Sequence, residues 1–335
     1  MARNGKRVID MHGHAQIEAA DQLIQKVFSP DKEPFVGFAS PLTRDVNRRQ
    51  LATIWPKLTS VETRLADMDA MGIDHQVVSP SPFQCAYWTE PDLGLTIAPT
   101  VHDGIAALVD GEERLIPFAG VPLQAPAQAA DELSRCVEEL GMKGVFVLTN
   151  VAGAELSQAG LDPFFARAVA LDVPVFIHPH GYTEGRRLSE HYFNNVIGNP
   201  LDTTVALAHL IFDGVLERFL ELKIFAAHGG GYLPAYSARM DHAYRARADC
   251  RQKIAKPPTT YLRRVYFDSV VFSTDQLDYL IKQYGADHVL LGTDYPYDMG
   301  ETDPVGLVES VPGLSDAERQ AICHDNAATL LKLDG

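Results

Sequence analysis

Cysteine is scarce in this sequence, and long hydrophobic runs are missing from it. The four cysteines among its 335 residues are far apart and form no CxxC pair, so neither a disulfide framework nor a cysteine-based zinc site is predicted. No apolar stretch reaches the roughly 18 residues of a membrane-spanning helix, and residues 1–14 contain no apolar segment of signal-peptide length. We therefore expect a cytoplasmic protein.

Basic residues are outnumbered by acidic ones. There are 29 Lys and Arg against 44 Asp and Glu, which gives a formal net charge of −15 at pH 7. This balance argues against nucleic acid or an anionic membrane surface as a partner, but it leaves room for a small acidic substrate. Hydrophobic residues make up 46% of the chain, which is enough for a sizeable core and argues against a disordered protein.

Eight short apolar runs alternate with longer segments of helical periodicity, such as residues 127–140, 161–171, 204–212, 274–284 and 315–331. Apolar residues at nearly every position are typical of strands buried on both faces of a parallel sheet. The count favours an α/β fold of the (β/α)8 TIM barrel type. A doubly wound sheet would alternate in the same way, but no GxGxxG turn follows the first run. The eight runs are residues 7–11, 75–79, 115–121, 144–148, 173–177, 223–227, 265–268 and 289–292.

One segment does not fit this alternation. Residues 15 to about 60 are richer in Pro, Asn, Gln and charged residues. We interpret them as an insertion after the first strand that covers the mouth of the barrel. No linker, internal repeat or low-complexity segment is apparent, so residues 1–335 are predicted to form one barrel domain that carries this insertion.

Histidines and a carboxylate follow four of the predicted strands. His12 and His14 come directly after the first run, His178 and His228 each follow a later run, and Asp294 comes two residues after the last. Residues at i and i+2 of an extended chain point the same way, so His12 and His14 can approach one cation. The carboxyl ends of the strands are where barrel enzymes place their active sites. A set of three of these histidines and the carboxylate predicts a site for zinc or a related transition metal.

Each of these residues also has a structural interpretation when taken alone. The HxH pair could be incidental, and His228 before three glycines could belong to a loop or a helix cap. Asp294 in Gly-Thr-Asp-Tyr-Pro could form an Asx-turn. Coincidence at four strand ends is much less expected than coincidence at one, so the combination carries the prediction.

These motifs, in this order, resemble those of the amidohydrolase superfamily. Within it, the chain is most similar to the branch of 2-amino-3-carboxymuconate-6-semialdehyde decarboxylase and related aromatic-acid decarboxylases. The similarity extends from residue 7 to about residue 327. The motifs are Ile-Asp-Met-His-Gly-His at 9–14, Ile-His-Pro at 177–179, Ala-His-Gly-Gly-Gly at 227–231 and Leu-Gly-Thr-Asp-Tyr-Pro at 291–296.

The resemblance implies a distorted barrel with one divalent metal ion per chain, usually zinc, with manganese as the alternative. It implies that His12, His14, His178 and Asp294 are the ligands, and that Asp294 also takes part in catalysis. His228 would be a catalytic residue beside the metal's water rather than a ligand. No lysine stands at a strand end where a metal-bridging carboxylated lysine would be expected, which favours a mononuclear site.

The resemblance also suggests residues that bind the substrate. Arg48 lies seven residues before Trp55, close to the spacing of a substrate-binding arginine in the family. Arg239 and Arg247 would share one helix face and reach the active site of a neighbouring subunit, which implies a homodimer or higher oligomer. Alternatively, each arginine side chain is exposed to solvent and forms a surface salt bridge.

The segment after His178-Pro179 departs from the semialdehyde decarboxylase pattern, because His180 replaces the family's tryptophan. His180 could face the pocket as a substrate-binding residue, or it could pack at the barrel rim.

The favoured function is metal-dependent, non-oxidative decarboxylation of a small aromatic, heteroaromatic or ring-cleavage-derived carboxylic acid. The metal site alone would equally serve a hydrolase that cleaves a C–C, ester, amide or lactone bond, because both reactions need a metal and a poised acid–base group. A third possibility, from another class, is a barrel that binds a metal or a partner without catalysis.

Overall fold

The chain folds around eleven short strands within the part that the structure, a computed structural model, describes, residues 7–333. Eight of them coincide with the eight predicted runs. The strands are β1 (Ile9–Asp10), β2 (His14–Ala15), β3 (His75–Pro80), β4 (Leu115–Pro117), β5 (Val145–Leu148), β6 (Asn150–Val151), β7 (Ala154–Glu155), β8 (Val175–His178), β9 (Ile224–Ala226), β10 (Tyr266–Asp268) and β11 (Val289–Leu290).

Parallel pairing joins these strands into a closed barrel. One sheet contains β1, β2, β3 and β4, and the other has the order β11-β10-β9-β8-β5. A parallel bridge between Ala119 and Val145 joins β4 to β5. The barrel closes where the Met11 amide donates to the Leu291 carbonyl at 2.9 Å. The predicted (β/α)8 barrel is therefore confirmed. The antiparallel hairpin of β6 and β7 is an addition that the runs did not predict.

Helices alternate with the barrel strands along the chain. Their bounds are α1 (Glu18–Gln25), α2 (Pro34–Gly37), α3 (Pro41–Thr59), α4 (Val61–Met71), α5 (Pro91–Val109), α6 (Pro126–Glu138), α7 (Asp162–Leu171), α8 (Phe193–Val196), α9 (Gly198–Phe212), α10 (Val215–Arg218), α11 (Leu233–Ala246), α12 (Pro258–Leu262), α13 (Thr274–Tyr284), α14 (Pro304–Glu309), α15 (Asp316–Gln320) and α16 (Asn326–Leu331).

The sequence explains most of these elements simply. In α6, buried residues recur at helical spacing, at Ala129, Leu133 and Cys136, so this stripe faces the core. The predicted helix over 315–331 is instead interrupted by a π-helical turn, Ala321–Asp325, between α15 and α16.

Residues 18–59, within the predicted insertion, form α1, α2 and α3 and contact the carboxyl ends of the barrel strands. The Phe28 ring lies 5.7 Å from that of Phe83, after β3. The Asn194 amide donates to the Pro34 carbonyl at 2.9 Å. The assignment of the chain to one domain stays a prediction. Among the helices of residues 7–333, none combines the length and the hydrophobicity that a membrane span requires.

Candidate metal centre

Four histidines surround the carboxylate of Asp294 at the carboxyl ends of the barrel strands. Its Oδ1 atom lies 3.3 Å from His12 Nε2, 3.1 Å from His14 Nε2 and 3.8 Å from His178 Nε2. Its Oδ2 atom lies 3.4 Å from His228 Nε2. The five residues that the sequence singled out therefore converge. The two oxygens of Asp294 divide the four histidines into a group of three at Oδ1 and a single histidine at Oδ2.

Tight turns after the strands orient two of these side chains. His228 and Asp294 both have left-handed backbone conformations, with φ of 55° and 61°. Gly229 continues the first turn at φ 60°, a conformation that costs glycine little. The Asp294 amide donates to the His12 carbonyl at 2.8 Å, which ties the last strand's turn to the first. The backbone strain is thus located where the functional side chains are aimed.

Hydrogen bonds fix the orientation of two imidazoles. His12 Nδ1 donates to Asp268 Oδ2 at 2.7 Å, and His14 Nδ1 donates to the Pro80 carbonyl at 3.0 Å. Each ring then directs its Nε2 toward Asp294. A carboxylate or carbonyl behind the ring is the usual way in which proteins orient a metal-binding histidine.

Asp268 is a residue that the sequence analysis missed. Besides holding His12, its Oδ1 accepts hydrogen bonds from the amides of Gly229 at 2.8 Å and Val270 at 3.2 Å. One carboxylate thereby connects a candidate ligand to the turn that carries His228. The signal was available, because Asp268 ends the seventh predicted strand.

A second buried network lies beneath the centre. The Asp10 carboxylate accepts from Gln76 Nε2 at 2.7 Å, from the Thr293 hydroxyl at 2.5 Å and from the His12 amide at 2.9 Å. Arg64, which is also buried, donates to Gln76 Oε1 at 2.6 Å. These contacts hold the HxH segment and the Thr-Asp segment in register.

The charges of the cluster are strongly coupled. Burial opposes ionisation of Asp294, but the surrounding histidines, His12 first, hold its pKa well below the usual range. Burial lowers the pKa of His14 and of His178. For His12, burial also disfavours the charged form, but the Asp294 and Asp268 carboxylates outweigh it and raise the pKa to about 10.

These residues fit a divalent metal ion. Buried His12 Nε2 and both ring nitrogens of His178 have no partner in hydrogen-bond geometry within the described chain. Leaving buried polar atoms unpaired is costly, and a cation would pair these nitrogens. His12, His178, His228 and Asp294 each offer a ligand atom within 4.8 Å of the others. Imidazole nitrogens with one carboxylate oxygen suit zinc and related transition metals.

A cavity of about 580 Å³ opens from this centre. His228 and Asp294 form part of its wall, together with Asn199, Tyr232 and Phe272. No Lys or Arg belongs to the wall formed by the described residues. The cavity has the size of a small-molecule site, and its cationic component would be a bound metal.

The structure does not bring the three predicted substrate-binding arginines to this cavity. Arg48 is 79% exposed and pairs with Asp45 at 2.5 Å. Arg239 is exposed on α11. Arg247 pairs with Asp249 and follows the last residue of α11 with an extended backbone, so the expected helix face shared with Arg239 ends before it. Their roles stay predictions.

His180 lies in a different environment from these arginines. Its ring stacks on Phe35 of the insertion, with centroids 5.0 Å apart, and its Nε2 is 3.5 Å from Glu33 Oε1. Glu33, buried under α2, is a second residue that the sequence analysis missed. No strand pattern could have indicated it, because it lies in the irregular part of the insertion.

Comparison with known proteins agrees with the predicted resemblance. A family model described as amidohydrolase matches residues 9–333. The chain is 33% identical over 275 residues to a 2-amino-3-carboxymuconate-6-semialdehyde decarboxylase of Dictyostelium discoideum, covering 82% of this chain and 77% of that protein.

Solved structures agree at the level of the fold. A 5-carboxyvanillate decarboxylase from Sphingomonas paucimobilis superimposes with a TM-score of 0.88 at 23% identity, covering 98% of this chain and 99% of the other. A dihydroxybenzoic acid decarboxylase from Polaromonas sp. JS666, solved with manganese and the inhibitor 2-nitroresorcinol, gives 0.83 at 25% identity, covering 98% and 97%. With the family model matching nearly its whole length, the chain belongs to the amidohydrolase family.

Proposed function

We propose that this protein is a metal-dependent, non-oxidative decarboxylase of a small aromatic, heteroaromatic or ring-cleavage-derived carboxylic acid. The observation that carries the proposal is the division of the Asp294 carboxylate between three imidazoles at Oδ1 and His228 at Oδ2. One oxygen is thus available to a metal site, and the other faces an acid–base residue. The decarboxylase names of the relatives support the same reaction class.

His12, His14, His178 and Asp294 would hold the metal ion. When bound, the ion supplies a positive charge that attracts and orients the carboxylate of the substrate. Zinc suits a site of three nitrogens and one oxygen, and the manganese in the Polaromonas enzyme makes manganese the alternative.

Side chains of the protein would hold the proton and transfer it to the substrate. Loss of carbon dioxide from an aromatic acid requires a proton at the ring carbon that bears the carboxylate, and that proton forms the C–H bond that replaces the broken C–C bond. His228, 3.4 Å from the ionised Asp294 carboxylate at the cavity wall, can carry a proton and donate it to that carbon.

Metal analysis coupled to detection of carbon dioxide tests this function. The purified protein is expected to hold about one divalent ion per chain and to release carbon dioxide from a member of a panel of hydroxylated benzoic acids, pyridine carboxylic acids and muconate semialdehydes. A metal-loaded protein that releases no gas but forms products heavier by one water would establish a hydrolase instead. A protein that binds no metal would overturn the site assignment.

We also propose that the enzyme is a cytoplasmic homodimer in which Arg239 of one subunit approaches the cavity of the other. Tyr236, one turn before Arg239 on α11, is 71% exposed although it lines the cavity, and Phe272, another residue of the cavity wall, is 52% exposed. Apolar side chains this exposed at the mouth of a site are typical of an interaction surface. A partner's arginine would supply the cation that the wall lacks.

Arg239→Ala is then expected to raise KM for the acid by about tenfold or more, because a charge-assisted hydrogen bond contributes roughly 1.5–3 kcal/mol. Steady-state kinetics and light scattering together measure this. Arg245→Ala, an exposed arginine on the same helix, is the matched control. A fully active monomer would contradict the proposal. An unchanged KM in Arg239→Ala would show that Arg239 is a surface residue that does not bind the substrate. Arg48→Ala serves as a parallel test of the Arg48 prediction by the same measurement.

A further inference from the structure

An asparagine side chain on the cavity wall is held in one orientation by the backbone. Asn199, in the first turn of α9, is only 8% exposed. The Gly181 amide donates to its Oδ1 at 2.8 Å. Because a backbone N–H group can only donate, this bond identifies the side-chain oxygen and places the NH2 group, Nδ2, on the other side of the Asn199 amide. The fold therefore sets which end of the side chain is free.

The surroundings of Asn199 leave it little freedom to move. The residue lies between the turn after β8, which contains Gly181, and the turn after β9, which contains His228 and Gly231. A Cβ atom on Gly231 would collide with the carbonyl oxygen of Pro200, which follows Asn199, so the start of α9 is packed directly against the second turn. Asn199 is thus fixed beside the segment that carries the proposed proton donor.

The NH2 group of Asn199 is open to the cavity. Within residues 7–333, Nδ2 donates no hydrogen bond, yet it is not one of the buried polar atoms that lack a partner, so it is accessible. Asn199 lines the same cavity as His228 and Asp294. An amide whose oxygen is engaged by the backbone offers only its two N–H donors to a molecule bound in that cavity.

Asn194 shows what a structural asparagine does in the same region. Its Oδ1 accepts from the Tyr182 amide at 3.0 Å, and its Nδ2 donates to the Pro34 carbonyl at 2.9 Å. Asn194 is 4% exposed and is not part of the cavity wall. Both ends of that side chain hold the fold together, whereas Asn199 uses one end for the fold and keeps the other for a ligand.

We propose that Asn199 binds the substrate by donating a hydrogen bond from Nδ2 to an oxygen substituent, such as a hydroxyl, methoxy or carbonyl group, and thereby selects oxygen-substituted acids over amino-substituted ones. The proposal rests on the function above for the class of substrate, an acid bound at the metal centre. The NH2 group of an aromatic amine donates and does not accept, as in an amide, because its lone pair is delocalised. Two donors facing each other both stay unpaired, which weakens binding.

Binding to the metal-loaded protein tests this selection. Isothermal titration compares benzoate with the three monomethoxybenzoates, which add an acceptor, and with the three monoaminobenzoates, which add a donor. At one ring position the methoxybenzoate is expected to bind about 3–10-fold more tightly than benzoate, as one hydrogen bond provides, while the aminobenzoate with the same substitution pattern gains nothing. Absence of a methoxy preference at all three positions would overturn the proposal.

Asn199→Ala removes the two donors and leaves room for a water molecule to accept from the Gly181 amide. The preference for the methoxybenzoate should disappear, while benzoate affinity changes less than about twofold. A preference that persists in this variant would refute the role of Asn199. An equal loss of affinity for every ligand would show that the amide binds the carboxylate they share, and this result would also overturn the proposal.

Asn199→Asp reverses the chemistry and keeps an oxygen for the Gly181 amide, so it serves if the alanine variant fails to fold. At pH 9, where the new carboxyl group is ionised, the ratio of methoxybenzoate to aminobenzoate affinity should fall by about tenfold or more, since a charged acceptor now faces the substituent. Asn195→Asp, on the same cavity wall, is the control for the added charge and should keep the wild-type ratio. An equal fall in both aspartate variants would contradict the proposal.

The role of Asn199 and the proposed decarboxylase activity fail separately. A methoxy preference that depends on Asn199, without release of carbon dioxide from any acid, rejects only the decarboxylase. Release of carbon dioxide without such a preference rejects only the role of Asn199.

Discussion

Replacement of His228 by alanine is expected to lower turnover by about 10²–10⁴-fold while the metal content stays near that of the wild type. His228 Nε2 approaches Asp294 Oδ2, whereas the three candidate ligand nitrogens approach Oδ1. The substitution therefore removes a proton donor and acceptor from the cavity wall and leaves the proposed ligand set intact. Elemental analysis and single-turnover kinetics measure the two quantities separately.

The backbone at His228 calls for a second variant. Its φ of 55° is unfavourable for alanine, whereas asparagine adopts the left-handed region more readily. His228→Asn should thus fold without added strain and still lose turnover. His242→Ala, an exposed histidine on α11, is the control and should behave as the wild type. Loss of the metal in both His228 variants would identify His228 as a ligand, which its place among the atoms within 4.8 Å of one another also allows.

The barrel and the histidine cluster could be predicted because both depend on local pattern. Strands such as Val175–His178 are buried at every position, so one apolar run in the sequence indicates both the strand and its burial. In a parallel barrel the residues after all strands meet at one end. Placing His12 and Asp294 at strand ends therefore predicted their proximity without knowledge of any contact.

Contacts between distant segments were not predictable in this way. Asp268 and His12 are 256 positions apart, and only the packing of β10 beside β11 brings the carboxylate behind the ring. Glu33 lies in the insertion, where neither period 2 nor period 3.6 constrains its direction. The end of α11 at Ala246 was missed for a related reason: nothing in the helical spacing from Arg239 to Arg247 showed where the helix stops.

Asp294→Asn is expected to weaken metal binding and turnover together. The amide keeps the shape of the side chain and tolerates φ of 61°, so the change is chiefly the loss of one negative charge among three imidazoles. Loss of an outer-shell partner usually costs about 10–100-fold in metal affinity, and loss of a direct anionic ligand should cost more. Turnover at saturating metal should still fall by about 10²-fold or more, because the carboxylate that faces His228 in the proton transfer is gone.

The pH dependence of metal affinity shows why the affinity is lower in Asp294→Asn than in the wild type. A metal ion must displace the proton that Asp294 and Asp268 stabilise on His12, whose pKa of about 10 exceeds neutral pH. Wild-type affinity should consequently rise by about tenfold per pH unit between pH 7 and 9, as release of one proton requires. In Asp294→Asn the pKa of His12 falls, and the slope should flatten even as the affinity drops. Competition with a chelator of known affinity measures both, with Asp287→Asn, an exposed acid, as the control. Full metal affinity with an unchanged slope would mean that Asp294 neither binds the ion nor controls the protonation of His12.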